Sequence, residues 1–150
     1  MKLEEIFRMT VAVTPPIVIG HTPLGLRQVI GSSGGTVVGA RISGRLNSGG
    51  GDWLLVTGDG YARPDVRHTV HTDDGADLYL HGTGLIEMND ATRAAISGGA
   101  PTDFDDAYLR LGLAIESGDP RYSWVNRALF LAEGRIQEGP TIEYVVHQVL

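Results

Sequence analysis

The strongest constraint on this chain is its punctuation: short β-branched and apolar runs of period two, each closed within a few residues by a glycine-bearing turn signal. Trp53 to Thr57 (WLLVT) stops at Gly58-Asp59-Gly60. Val66 to Thr72 and Asp77 to His81 flank Asp73-Asp74-Gly75, whose Asp-Gly step tolerates the positive φ of a hairpin turn. Thr10 to Ile19 is strand-like but broken by Pro15 and Pro16, which lack backbone donors and suit an edge or a strand break. Thr36 to Leu46 alternates, with Ile42 and Leu46 on one face and Arg41, Ser43 and Arg45 on the other. Tyr108 to Glu116, Trp124 to Ala132 and Thr141 to Leu150 bring the set to about eight strands. Open edges invite aggregation, so the expected fold class is all-β: a small antiparallel β-barrel of about eight strands, with a sandwich as the other way to pack such strands. A barrel of that size is just wide enough to hold one small ligand.

One stretch departs from this pattern. Asn89 to Ser97 (NDATRAAIS) sets an Asn or Asp cap before an Ala-rich run, which predicts a short helix ending at Gly98-Gly99-Ala100-Pro101. This insertion reads either as a surface excursion or as a lid.

Composition narrows the function classes. A chain of 150 residues with 42% apolar content predicts a single domain, residues 1–150, that buries its own core. The absence of Cys removes disulfides, Cys-based zinc sites and thiol nucleophiles, and a reducing cytoplasm is the expected location. The start, MKLEEIFRMTVAV, lacks the basic region and apolar run of an export signal, and no stretch approaches the ~20 apolar residues that span a bilayer. Neither a membrane nor nucleic acid is an expected partner, because 18 acidic against 12 basic residues give a net charge of -6, the wrong sign for a phosphate backbone.

Gly31-Ser32-Ser33-Gly34-Gly35 matches the spacing of a nucleophile elbow, but β-branched Thr36-Val37-Val38 follows where a helix is required, so the run is expected to be a turn. No metal is expected, since His68 and His71 point to opposite faces of a strand and no other histidine stands at ligand spacing. The densest ionisable cluster is Asp65-Val66-Arg67 with His71-Thr72-Asp73-Asp74. Here a guanidinium suits a developing oxyanion and an imidazole titrates near neutrality. Alternatively the same groups satisfy a barrel rim. Gly118 to Arg127 (GDPRYSWVNR) leads into an expected strand carrying Trp124, Asn126 and Phe130 on one face. Facing inward, these would form an aromatic wall with one amide; contact between Trp124 and Phe130 would instead mean an interior filled by side chains.

Thr22-Pro23-Leu24-Gly25, Gly51-Asp52-Trp53, Asp65-Val66-Arg67, Thr72-Asp73-Asp74-Gly75 and above all Gly118-Asp119-Pro120-Arg121-Tyr122-Ser123-Trp124-Val125-Asn126 resemble the bacterial and fungal family known as domain of unknown function 3237. The resemblance spans nearly the whole chain and implies a small antiparallel β-barrel without implying a settled reaction. The chain departs from the family pattern at His68, His71, Asp77 and His81 and in a longer 89–101 insertion.

The functional expectation is a small-molecule-binding barrel acting as a cofactor-independent isomerase, cyclase or lyase on a small, largely apolar carbonyl or carboxylate metabolite. Arg67 would bind the oxyanion, and Asp52 or His71 would move the proton. Tyr79, Tyr108, Trp124, Asn126 and Phe130 would contact the substrate. A non-catalytic carrier or a structural module are the alternatives, and a homodimer through a strand face is compatible with either.

Overall fold

The computed structural model describes all 150 residues. Eleven strands pair entirely antiparallel: β1 (Leu3–Val13), β2 (Ile17–Thr22), β3 (Gly25–Val38), β4 (Gly44–Leu46), β5 (Gly51–Val56), β6 (Tyr61–Arg63), β7 (Asp65–Thr72), β8 (Asp77–Glu87), β9 (Leu109–Glu116), β10 (Leu129–Gln137) and β11 (Thr141–Val149). The wall runs β1-β11-β10-β9-β8-β7-β4-β3 and closes because β3 also pairs with β1, from Arg8↔Val38 to Val13↔Ser32. β5 fills the wall between β3 and β7 beyond the end of β4, and β6 bridges β5 and β8. Only β2, a hairpin arm on β3, keeps an unpaired edge.

The barrel is therefore of the expected class but richer in strands, for local reasons. Thr36 to Leu46 is not one strand. β3 ends at Val38 and β4 turns back on it, pairing Gly35↔Leu46 and Val37↔Gly44, with the Ser43 hydroxyl donating to Gly39 O at 2.8 Å to hold the turn. Gly31 to Gly35 is not a turn either; it continues β3. Gly35 is required there because a Cβ would fall 1.8 Å from Thr10 O on the neighbouring strand. Trp124 to Ala132 is likewise not a strand throughout. Pro120–Arg127 forms a 3-10 helix in which the Asp119 carboxylate accepts the Arg121 N–H at 2.9 Å, and β10 starts only at Leu129. The short helix α1 (Asp90–Ile96) forms as expected, with Asn89 accepting the Thr92 N–H at 3.0 Å.

Alternation along the wall sends Met9, Val37, Val70, Leu80, Leu111 and Phe130, among others, into one core of 22 buried residues. Each large side chain removed from water contributes roughly 1.5–3 kcal/mol, which makes this core the main source of stability. The two ends of the barrel differ. At one, the 3-10 helix inserts Tyr122 and Val125 as a plug, both buried beneath Ile42, Ala76 and Leu78. At the other, Val13, Gln28, Ile30, Ile86 and Ile142 are only half-buried, with Val13, Ile86 and Ile142 packed against the core, so this end is the more open of the two. The helix α1 and the segment after it lie along the open end, where Thr102 pairs with Ile136 through its backbone and hydroxyl at 2.8 and 2.9 Å. No helix is long and apolar enough to cross a membrane.

Candidate functional site

The open end contains one inward carboxylate. Register decides its direction: Asp52 pairs with Ile30 on one side and with buried Val66 on the other, so it shares their inner face, while Gly51 beside it pairs with outward Arg67. Asp52 Oδ1 accepts the Asp65 N–H at 2.9 Å. Burial pushes its carboxyl up to about 6; the Asp65 N–H and Arg27 pull the other way, and the Asp65 carboxylate adds to the rise. Near neutrality the group is thus a carboxylate of unusually high basicity, on the inner face of the wall beside Ile30 and Val66.

Tyr144 stands in the floor next to it. This residue is buried on β11, and its phenol is raised well above the ordinary range, first by burial and then by the nearby Asp52 charge. It remains protonated at any working pH and can only donate or accept a hydrogen bond as a neutral hydroxyl. Its ring fits because Gly134 lies opposite it, where a Cβ would approach the ring to 2.9 Å. His68 is the next inward residue on β7 after Val66. Burial alone depresses it to about 4, and its Nδ1 has no hydrogen-bond partner, so it sits in the wall as a neutral imidazole.

The remaining expected site residues lie elsewhere. Arg67 and His71 project from the outer wall: Arg67 Nε is 3.6 Å from Asp65 Oδ1, which also meets His81 Nε2 at 2.9 Å, and His71 Nδ1 meets Asp77 Oδ1 at 2.8 Å. The structure does not bring either to Asp52, because adjacent strand positions face opposite sides of the sheet. Tyr79 and Asn126 come together, but along an open outer groove of roughly 740 Å³ that Asp77 and Glu116 also line. Tyr108 is outside too, stacked under Arg110 with the guanidinium carbon 5.2 Å from the ring. The expected aromatic wall is not a cavity wall. Trp124 meets Phe130 edge-on, with ring centroids 6.1 Å apart, and Arg41 covers the Trp124 ring at 3.6 Å. Side chains fill the barrel at that end.

The Gly118–Arg127 run is instead the plug's fastening. Asn126 Oδ1 accepts the Ser117 N–H and its Nδ2 donates to Ser117 O, both at 2.9 Å. The Tyr122 hydroxyl donates to Asp74 Oδ1 at 2.9 Å and Arg121 Nη1 to Asp74 O at 2.9 Å, tying the plug to the β7–β8 turn. Asp73-Asp74-Gly75 is the anchor for this plug as well as a hairpin turn.

Of the residues that form the open end, only Asp52 was a candidate from the sequence. Tyr144 was missed because Val145 and Val146 follow it, which blurs the period-two signal in TIEYVV. Gln28 and Ile30 precede the glycine run in Leu26-Arg27-Gln28-Val29-Ile30, whose adjacent Val29 and Ile30 break the period-two signal. No group of three or more His, Asp or Glu is placed to hold a metal ion.

Fold and site together define a class: an antiparallel barrel plugged at one end by a tethered 3-10 helix, with a buried inward carboxyl toward the other. Residues 1–149 match the family described as Protein of unknown function (DUF3237), and the chain belongs to that family. It is 30% identical over 146 residues to a UPF0311 protein of Clostridium acetobutylicum, covering 96% of this chain and 92% of that one. A UPF0311 protein of Rhodopseudomonas palustris is 26% identical over 150 residues, 100% of this chain and 97% of the other. Among solved structures, a protein of unknown function from R. palustris superposes with a TM-score of 0.88 at 27% identity over 100% and 99% of the two chains. A beta-barrel like protein of Acinetobacter baumannii gives 0.83 at 27% over 98% and 94%. A chain described as an enzyme from Penicillium herquei shares the fold, with a TM-score of 0.71 at 15% identity over 99% and 94%.

Proposed function

We propose that this chain is a cofactor-independent enzyme that isomerises, cyclises or eliminates within a small, largely apolar carbonyl metabolite bound in the open end of the barrel. One observation carries the reading: the inward carboxylate of Asp52, pushed up to about 6 by burial, at the end of the barrel where Val13, Ile30, Ile86 and Ile142 are only half-buried. In this reading Asp52 takes a proton from the carbon next to the carbonyl and returns it at another atom of the same molecule or, in an elimination, to the leaving group whose bond breaks as the new double bond forms, so no external reactant is consumed. The neutral Tyr144 hydroxyl donates to the oxygen on which negative charge develops, the part Arg67 was expected to play. His68, held neutral, serves the wall and not the proton transfer.

The test is solvent-deuterium incorporation into a panel of aromatic, polyketide-like and short unsaturated carbonyl compounds, followed by NMR or mass spectrometry. Catalysed incorporation by the wild type, lost by at least a hundredfold in Asp52→Asn and reduced in Tyr144→Phe, supports the reading. Binding of a panel member without any incorporation or conversion by the wild type makes the barrel a carrier.

A further inference from the structure

The outer wall over β8, β9, β10, β11 and β1 carries an apolar patch among charged and polar side chains. Register lines up Leu3, Val149 and Leu129 across three strands and sets Leu131 beside Gly112. Leu3, Leu129 and Leu131 are 56%, 72% and 45% exposed, and Leu85 and Tyr108 border the same face. Its relief is regular. Two hollows of roughly 510 and 670 Å³ indent the wall, and both are lined by Leu3, Gly112 and Leu131. Leu131 is the ridge between them, and Gly112 deepens them, since a Cβ there would meet nothing within 4 Å.

A ridge flanked by hollows is self-complementary: rotated about a two-fold axis, the ridge of one copy enters a hollow of the other. The charges on the face are self-complementary as well, because Arg110 Nη2 and Glu133 Oε2 stand 3.4 Å apart on neighbouring strands and present both signs to a rotated copy. Leu3, Leu129 and Leu131 leave about half or more of their surfaces uncovered side by side, apolar area that a standard interface of ~800 Å² per partner would bury. The other exposed apolar element, Ile17-Val18-Ile19 on the free edge of β2, is short, follows Pro15-Pro16 and carries a register shift before Gly20, all features that blunt an edge.

We infer that this face is the interface of a homodimer, with Leu131 of each copy seated in the Gly112 hollow of the other. None of its residues lines the open end, so that end of each copy stays accessible and the inference stands apart from the catalytic reading.

Size-exclusion chromatography with light scattering tests it on the full chain. The wild type at high micromolar concentration should show twice the 16.0 kDa chain mass. Leu131→Glu should be monomeric. Gly112→Gln, whose Cβ meets no atom of its own chain and whose longer side chain occupies the hollow, should weaken dimerisation by about tenfold or more while retaining the wild-type circular dichroism spectrum. A monomeric wild type overturns the inference, as does a dimer that survives both substitutions. Dimerisation lost in Val18→Glu and kept in Leu131→Glu assigns it to the β2 edge and equally overturns it.

Discussion

Gly134 lies directly opposite Tyr144 in the β10–β11 ladder, and the missing side chain at 134 is what gives the phenol ring its place in the barrel floor. A Cβ there would stand 2.6 Å from Leu109 Cδ2 and 2.9 Å from two ring carbons, so both neighbours must move. Gly134→Ala should cost about 1–3 kcal/mol by overpacking and shift the Tyr144 ring. Urea denaturation reads the first effect and the turnover of any identified substrate the second. Gly118→Ala, with open space around its Cβ, is the control and should be near neutral.

Asp52 and His68 work against each other in the pH dependence of stability. The folded Asp52 carboxyl titrates at about 6 against an ordinary 3.8, so its contribution falls as pH rises from about 4 to 6. His68 titrates at about 4 in the fold against 6.5 unfolded, so its contribution rises with pH from about 4 to 6.5. Each is worth on the order of 2–3 kcal/mol, and in the wild type they largely cancel. Asp52→Asn should therefore grow more stable from pH 4 to 6.5, whereas His68→Leu should grow less stable across the same range. Thermal midpoints measured through that range check both signs, and two flat profiles would contradict the burial of these groups.

Catalysis should show the same carboxyl. If Asp52 acts as the base, the rate at subsaturating substrate rises with pH and levels off above about 6, where the carboxylate is fully formed. A rate that falls through this range would assign the protonated acid to the rate-limiting step.

The plug makes a separate prediction. Asn126→Ala removes both bonds to Ser117 and should destabilise by about 1–3 kcal/mol, and Tyr122→Phe, which loses the bond to Asp74, by about 0.5–1.5 kcal/mol. Neither should change substrate affinity, which separates a fastening role from the substrate contact expected of Asn126 in sequence.

Arg67→Ala should leave both stability and turnover close to wild type, because its pairing with Asp65 is long and exposed. Calorimetry and the deuterium assay together check this. A hundredfold loss of rate would return the outer cluster to the mechanism.

The barrel class and the helix at Asn89 were legible because they rest on local signals: period two, Asp-Gly turns, and an Asn cap before an Ala run. What escaped was long-range. Whether Gly31 to Gly35 turns or runs straight depends on Thr10 of the strand beside it, and the 3-10 form of Pro120–Arg127 depends on Asp74, 46 or more positions earlier. The site followed the same rule. Asp52 was visible as a residue type, but its separation from Arg67 is a matter of pairing register, Gly51↔Arg67 beside Asp52↔Val66, which no single strand carries in its own sequence. Tyr144 became a site residue only through a glycine on another strand.

The most direct test compares thermal-shift and native mass-spectrometric binding of the carbonyl panel for wild type, Asp52→Asn and Arg67→Ala side by side. A site in the open end predicts a compound that binds the wild type and Arg67→Ala alike and is lost or altered in Asp52→Asn. A compound that still binds Asp52→Asn unchanged but fails with Arg67→Ala would place the site on the outer wall and contradict the account.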